Sequence, residues 1–211
     1  MLHKSSHIIT PETFHLLQQL QELPELEGYH LVGGTSLAMQ LGHRNSIDLD
    51  LFTENEFLGN VLAQDLSQHF SLQADLAIKN TLLSRINEVK VDFISHPHPL
   101  VREPIAEDGI TFLSMEDIAA MKLNAIIQSG QRLKDFIDIY FLLEHFSVND
   151  MLHFFSVKYD YINPLMALKA LTYFDDLDET IDKPKLLKPL LTDQIKLRIK
   201  TAALHSKRVF G

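Results

Sequence analysis

The run Val32-Gly33-Gly34-Thr35-Ser36, followed ten residues later by Ser46-Ile47-Asp48-Leu49-Asp50-Leu51-Phe52, restricts this chain more than any other stretch. Tyr29–Val32 reads as a short apolar strand, and the two glycines turn it into a helix running to about Leu41. Glycine lets backbone N–H groups approach a ligand closely, and a helix N-terminus favours phosphate oxygens. An ordinary tight turn capped by Thr35 or Ser36 fits the same residues. Ile47–Thr53 reads as the next strand, with Asp48 and Asp50 leaving one face and Ile47, Leu49 and Leu51 leaving the other toward a core. Two carboxylates at that spacing suit a hard cation such as Mg²⁺, although exposed alternation produces the same pattern. A phosphate turn beside a metal-binding pair is the combination that nucleotidyl transfer requires.

The remaining periodicities divide the chain in two. Before residue 114, helices are expected over Pro11–Leu23 and Phe57–Phe70, and strands over Leu72–Ile78, Leu82–Asn87, Val89–Ser95 and Ile110–Leu113. Pro97, Pro99 and Pro104 mark an irregular crossing. From Ser114 onward the pattern is helical, with segments near Met115–Gln128, Leu133–His145, Asn149–Val157, Pro164–Phe174 and Pro189–Leu204. Strands first and helices afterwards imply an α+β domain over residues 1–113 and a helical domain over 114–211. The cluster Asp175–Glu179 reads as a linker, since it lacks the glycine and ligand spacing of a calcium loop.

Several side chains beyond the opening run can carry chemistry. Val89–Ile94 alternates, with Lys90 and Asp92 on one face. If that strand lies beside Ile47–Thr53, Asp92 supplies a third carboxylate, for a metal or for the proton of an attacking hydroxyl. Lys122 falls at the centre of an apolar helix face made by Met115, Ile118, Ala119 and Ile126, where a lysine must snorkel, pair with an acid or enter a pocket. Leu133–His145 is apolar nearly all round yet carries Asp135 and Asp138, which are neighbours on its surface. Such acids orient Lys122 or Arg132, contact a nucleotide, or form structural salt bridges. His96-Pro97-His98-Pro99 reads as a loop. With no cysteine, no H-E-x-x-H and no G-x-S-x-G, zinc hydrolysis and serine-nucleophile chemistry lack support.

Charge is distributed unevenly. The net charge is −9, yet residues 183–211 carry eight Lys and Arg against one acid, Asp193. That segment is a solvated basic helix or a local surface for RNA or an acidic partner. No stretch approaches a membrane span, the N-terminus lacks the apolar region of a secretory signal, and cysteine is missing. A soluble cytoplasmic protein is expected.

Taken together these residues resemble the AbiEii/AbiGii toxin family, within the polymerase-beta-type nucleotidyltransferase superfamily. The resemblance lies in Val32–Ala38, Gly42–Phe52, Met121-Lys122-Leu123-Asn124-Ala125 and Arg132–Tyr140, between about residues 30 and 145. It implies a nucleotidyltransferase-like mixed β-sheet core flanked by helices, with the helical C-terminal domain completing the NTP site. It implies Mg²⁺- or Mn²⁺-dependent transfer from an NTP with pyrophosphate leaving. Asp48 and Asp50 match the metal pair, which Asp92 joins by its strand position. Gly33, Gly34, Thr35 and Ser36 match the phosphate-facing turn. Lys122 matches the lysine at the NTP phosphates, and Asp135, with Asp138 near it, the acid of the later helix. Family members are often toxins of two-gene toxin–antitoxin systems, and some relatives modify tRNA ends, so an antitoxin partner and an RNA acceptor are implied. The superfamily's turn often reads Gly-Ser, whereas Gly34 stands here in the serine position and Thr35 or Ser36 takes over the hydroxyl. Transfer to a small molecule such as an aminoglycoside, and non-catalytic binding of an NTP or partner, remain the alternatives.

Overall fold

The computed structural model describes residues 1–181 and 184–211; Lys183, the first basic residue of the C-terminal segment, lies outside the described residues. The chain forms two compact units: Met1–His98 with Pro104–Leu113, and Pro99–Glu103 with Ser114–Gly211. No helix among the described residues is long and apolar enough to cross a membrane.

The first unit contains α1 (Pro11–Gln21), β1 (His30–Val32), α2 (Gly33–Leu41), β2 (Leu49–Thr53), α3 (Gly59–Leu66), β3 (Leu72–Ile78), β4 (Thr81–Ile86), β5 (Val89–Ser95), β6 (Ile105–Glu107) and β7 (Ile110–Phe112). A short 3-10 turn, Pro24–Leu26, leads into β1. The Thr10 hydroxyl accepts from the Thr13 N–H and Pro11 occupies the first helical turn, so α1 starts where its cap and fixed φ dictate. Its Leu16, Leu17 and Leu20 enter the core.

The seven strands form one mixed sheet in the order β3-β4-β5-β2-β1-β7-β6. β1 runs antiparallel to β2 and parallel to β7, while β2 runs parallel to β5. Leu31, Leu49, Leu51, Leu82, Val91 and Phe93 are fully buried, and with α1 residues they make the core of this unit. Burying each such side chain contributes about 1.5–3 kcal/mol.

Three differences from the sequence expectation have local causes. β2 begins at Leu49 rather than Ile47, and Ile47 is 61% exposed instead of facing a core. The predicted helix Phe57–Phe70 shortens to Gly59–Leu66, because Phe57 packs edge-on against Tyr29 instead of continuing the helix. The crossing that the prolines suggested contains a strand, β6. Asp108 and Gly109, with φ of 57° and 76°, close a two-residue hairpin between β6 and β7. Asn87 and Glu88 do the same between β4 and β5 without any glycine, at φ of 49° and 67°.

The second unit holds α4 (Met115–Gln128), α5 (Leu133–Leu142), α6 (Val148–Lys158), α7 (Pro164–Leu171) and α8 (Thr192–Leu204). Ser114, Ser147 and Asn163 cap α4, α6 and α7 through side-chain oxygens. α8 starts three residues later than Pro189, where Gln194 Oε1 accepts from the Leu191 N–H. A fully buried ion pair organises the approach to α4. Asp117 accepts from the Val101 and Arg102 N–H groups, the Ser114 hydroxyl and Lys158 Nζ at 2.8–3.0 Å, and Lys158 also reaches the Pro99 carbonyl at 3.2 Å. One carboxylate thus fastens residues 99–102 to α4 and α6, with its lone pairs satisfied.

Asp117→Ala strands Lys158 in an apolar interior, and removing one partner of such a pair costs about 3–5 kcal/mol. Urea unfolding should show a loss of that size; a midpoint unchanged from wild type rules the pair out as a structural anchor.

Candidate active site

The strand register assembles the acidic residues. Val32 lies across from Asp50 in the β1–β2 ladder, and Asp50 is in register with Asp92 in the β2–β5 ladder. Neighbouring strands are about 4.8 Å apart, so these two carboxylates emerge side by side on one face. Asp48 lies just ahead of β2 rather than within it. Its carbonyl accepts a hydrogen bond from the Thr35 hydroxyl, whose oxygen also lies 2.8 Å from Ser46 Oγ. The entry into β2 is therefore tied to the first turn of α2.

The two glycines are required by what touches them. Gly33 adopts φ of 68°, and a Cβ there would overlap Asp50 Oδ2. A Cβ on Gly34 would overlap Nη2 of Arg44. Arg44 is only 3% exposed and donates from Nη1 to the Asn45 carbonyl at 2.9 Å, so it has little room to move aside. This accounts for glycine, rather than a residue with a side chain, at position 34. Thr35 and Ser36 are buried, with Thr35 bonded as above and Ser36 Oγ accepting from Gln40 Nε2 at 3.1 Å. Their hydroxyls are engaged inside the unit. Val32, the N-cap of α2, makes no side-chain cap hydrogen bond of its own, and Asp50 is the side chain that lies against Gly33 in the first turn.

The acids are accompanied by Lys90. Its Nζ lies 2.9 Å from Asp92 Oδ2, while the other oxygen, Oδ1, is buried and accepts no hydrogen bond. Partial burial pulls the Lys90 pKa down. The hydrogen bond and charge of Asp92, with Asp48 and Asp50 behind it, outweigh that and hold it above the ordinary lysine value. Among the described residues, no three His, Cys, Asp or Glu side chains stand ready-spaced as a metal cage. The donor set nevertheless suits a hard divalent cation, being all carboxylate oxygen with one buried oxygen unoccupied by any donor. Arg44 and Lys90 are the residues that motif reading passed over. The sequence signal for Lys90 was its place on the Asp92 face; nothing local marked Arg44.

The helical unit carries its own charged group. Lys122 Nζ is 2.7 Å from both Asp135 Oδ1 and Asp138 Oδ2, and all three side chains are buried. Arg132 completes the group, donating from Nε and Nη2 to Asp135 Oδ2 at 3.0 and 2.9 Å. The two cations match the two carboxylates, which is how α5 carries acids on a buried surface.

Comparison with known proteins bears on both units. A family model described as "Nucleotidyl transferase AbiEii toxin, Type IV TA system" matches residues 15–204. An uncharacterized protein of Aquifex aeolicus is 30% identical over 171 residues, covering 78% of this chain and 82% of the relative. Among solved structures, the nucleotidyltransferase toxin MenT4 of Mycobacterium tuberculosis shares the fold with a TM-score of 0.59 at 17% identity, over 90% of this chain and 79% of that one. A candidate nucleotidyltransferase of Helicobacter pylori does so with a TM-score of 0.56 at 18% identity, over 93% and 95%.

Gly33→Ala places a Cβ on Asp50 at a left-handed φ and is expected to lower stability by about 1–3 kcal/mol. Gly34→Ser displaces Arg44, with a loss of similar size. Thermal unfolding checks both, and wild-type melting of Gly34→Ser would show that Arg44 yields freely.

Proposed function

Because this chain belongs to the AbiEii nucleotidyltransferase toxin family, we propose that it moves a nucleotide from an NTP to an RNA acceptor with Mg²⁺ or Mn²⁺. In this reading it serves as the toxin of a two-component toxin–antitoxin system, with an antitoxin as partner. Nucleotidyl transfer is the activity of the family; the acceptor, the metal and the roles of single residues are the proposal. The observation that carries it is the register of Asp50 with Asp92 beside the glycine-headed start of α2, with one Asp92 oxygen buried and accepting nothing.

Asp48, Asp50 and Asp92 would hold the metal, which when bound neutralises charge on the phosphates and on departing pyrophosphate. The first-turn N–H groups of α2 bind phosphate oxygens, and glycine at 33 and 34 keeps side chains out of their way. In this reading Asp92 also accepts the proton of the attacking hydroxyl as the new bond to the α-phosphorus forms and the bond to pyrophosphate breaks. Lys122 is assigned to the triphosphate as a point charge, with Asp135 and Asp138 fixing its ammonium. The RNA assignment is supported by the exposed cations Lys188, Lys200, Lys207 and Arg208. Arg198 is excluded from it, because it stacks on Tyr140 with its carbon 3.6 Å from the ring centroid and pairs with Glu144 at 2.8 Å.

Purified protein with labelled NTP, divalent metal and total tRNA should yield labelled RNA and free pyrophosphate. Asp48→Ala should reduce the rate at least about a hundredfold with the fold intact, since even outer-shell changes cost about 10–100-fold; full labelling by that variant discards the metal assignment. Lys122→Met should raise the NTP requirement in whatever fraction remains folded. Neutralising Lys200, Lys207 and Arg208 together should weaken RNA labelling and lower the salt dependence by about one unit of log–log slope per lost phosphate contact. An unaltered salt slope points instead to a small-molecule acceptor.

A further inference from the structure

We propose that Lys90 is the resident counter-ion of the Asp48, Asp50 and Asp92 group: its ammonium holds the place of the divalent cation, and metal binding requires its displacement. This rests on the reading that those carboxylates bind the metal. It adds that the affinity for metal is set by an exchange of cations rather than by the acids alone.

Four observations converge on Lys90. It precedes Asp92 by two residues on β5, so both side chains leave the same face of the sheet. Its register partner on β4 is Arg85, and like charges placed opposite each other are unfavourable, which drives the ammonium along its own strand toward the acids. There it meets Asp92 Oδ2 at 2.9 Å and leaves Oδ1 buried without a donor. A carboxylate whose function was only to pair with Lys90 would not keep a buried oxygen unsatisfied, because that omission costs stability. Finally, the two ends of the pair differ in freedom: the Lys90 side chain is 44% exposed, whereas that of Asp92 is 10% exposed. The lysine can swing its flexible stem into solvent, while the acid stays fixed in the sheet.

The exchange has a physical logic. Asp50 and Asp92 stand in register on one sheet face, Asp48 adds its charge from the entry to β2, and a hard divalent ion placed among them would relieve their repulsion even without substrate. An ammonium in the same place lowers that repulsion and raises the threshold for metal entry. An arriving NTP brings its own metal and negative charge. Displacement of Lys90 then coincides with substrate binding, and the freed ammonium gains phosphate oxygens in place of Asp92.

Mn²⁺ binding without nucleotide, followed by electron paramagnetic resonance and calorimetry, tests this on Lys90→Met, Lys90→Gln, Lys90→Arg and Asp92→Asn. Lys90→Met and Lys90→Gln should bind Mn²⁺ about tenfold or more tightly than wild type, and Mn²⁺ should raise their melting temperatures more than it raises that of wild type. Lys90→Arg, which keeps the charge, should remain near wild type. Equal or weaker Mn²⁺ binding by folded Lys90→Met and Lys90→Gln overturns the counter-ion role. If Asp92→Asn still removes the wild-type Mn²⁺ signal, the metal reading survives that failure. Wild-type Mn²⁺ binding that is untouched by Asp92→Asn, or no Mn²⁺ binding by any form, removes the metal reading and this inference together.

Discussion

Like-charge crowding on adjacent strands is the constraint around which the first unit is arranged. Asp50 and Asp92 are held in register by the β2–β5 ladder, and strand spacing fixes them about 5 Å apart. At an effective dielectric near 20, two such charges repel by about 3 kcal/mol. The sheet cannot relax this, because Leu49, Leu51, Val91 and Phe93 on the opposite face are fully buried. The repulsion must be met by cations or by donors. Lys90, paired with Asp92, and the backbone at the start of α2, against which Asp50 lies at Gly33, are two means the chain provides. Hydrophobic registration thus dictates an electrostatic problem, and the problem dictates the chemistry.

The helical unit solves the same kind of problem by pairing. Lys122, Arg132, Asp135 and Asp138 close a neutral group within α4, α5 and the turn between them, while Asp117 and Lys158 close another. Both groups hold helices whose surfaces are otherwise apolar, and both depend on every member. The difference lies in access. Arg132 keeps 41% of its side chain exposed, so its group has an outlet to solvent, whereas Asp117 and Lys158 are sealed. This is the physical ground for proposing ligand contact at the Lys122 group, while the other group is sealed inside its unit.

Much of this was legible from spacing. Alternation gave β2 and β5, helical periodicity located α4 and α5, and the oddity of a lysine on an apolar face pointed to acids that α5 does supply. What could not be read depended on partners far away in sequence. The Asp117–Lys158 pair spans 41 residues, and neither residue stands out locally. Arg44 under Gly34 is visible only once α2 and the following loop are folded. Ile47 looked like a core residue because alternation was extended two positions beyond where the ladder begins, and exposure at the strand entry follows from Thr35 holding the Asp48 carbonyl. β6 was hidden by the prolines that precede it, although Asp108-Gly109 was a hairpin signal in plain view.

The tight turn at Asn87-Glu88 has a bearing on how this chain can change over time. It joins β4 to β5 in two residues with both in left-handed conformation, so the register of β5 is locked from one end. Side chains alternate with a period of two, and a single residue gained or lost in that turn would exchange the two faces of β5. Val91 and Phe93 would be thrust into solvent while Lys90 and Asp92 turned inward. Substitutions around the carboxylates can be absorbed one at a time, but a change in the length of this turn cannot. Variation among descendants of this sequence should therefore accumulate as replacements there and as insertions elsewhere.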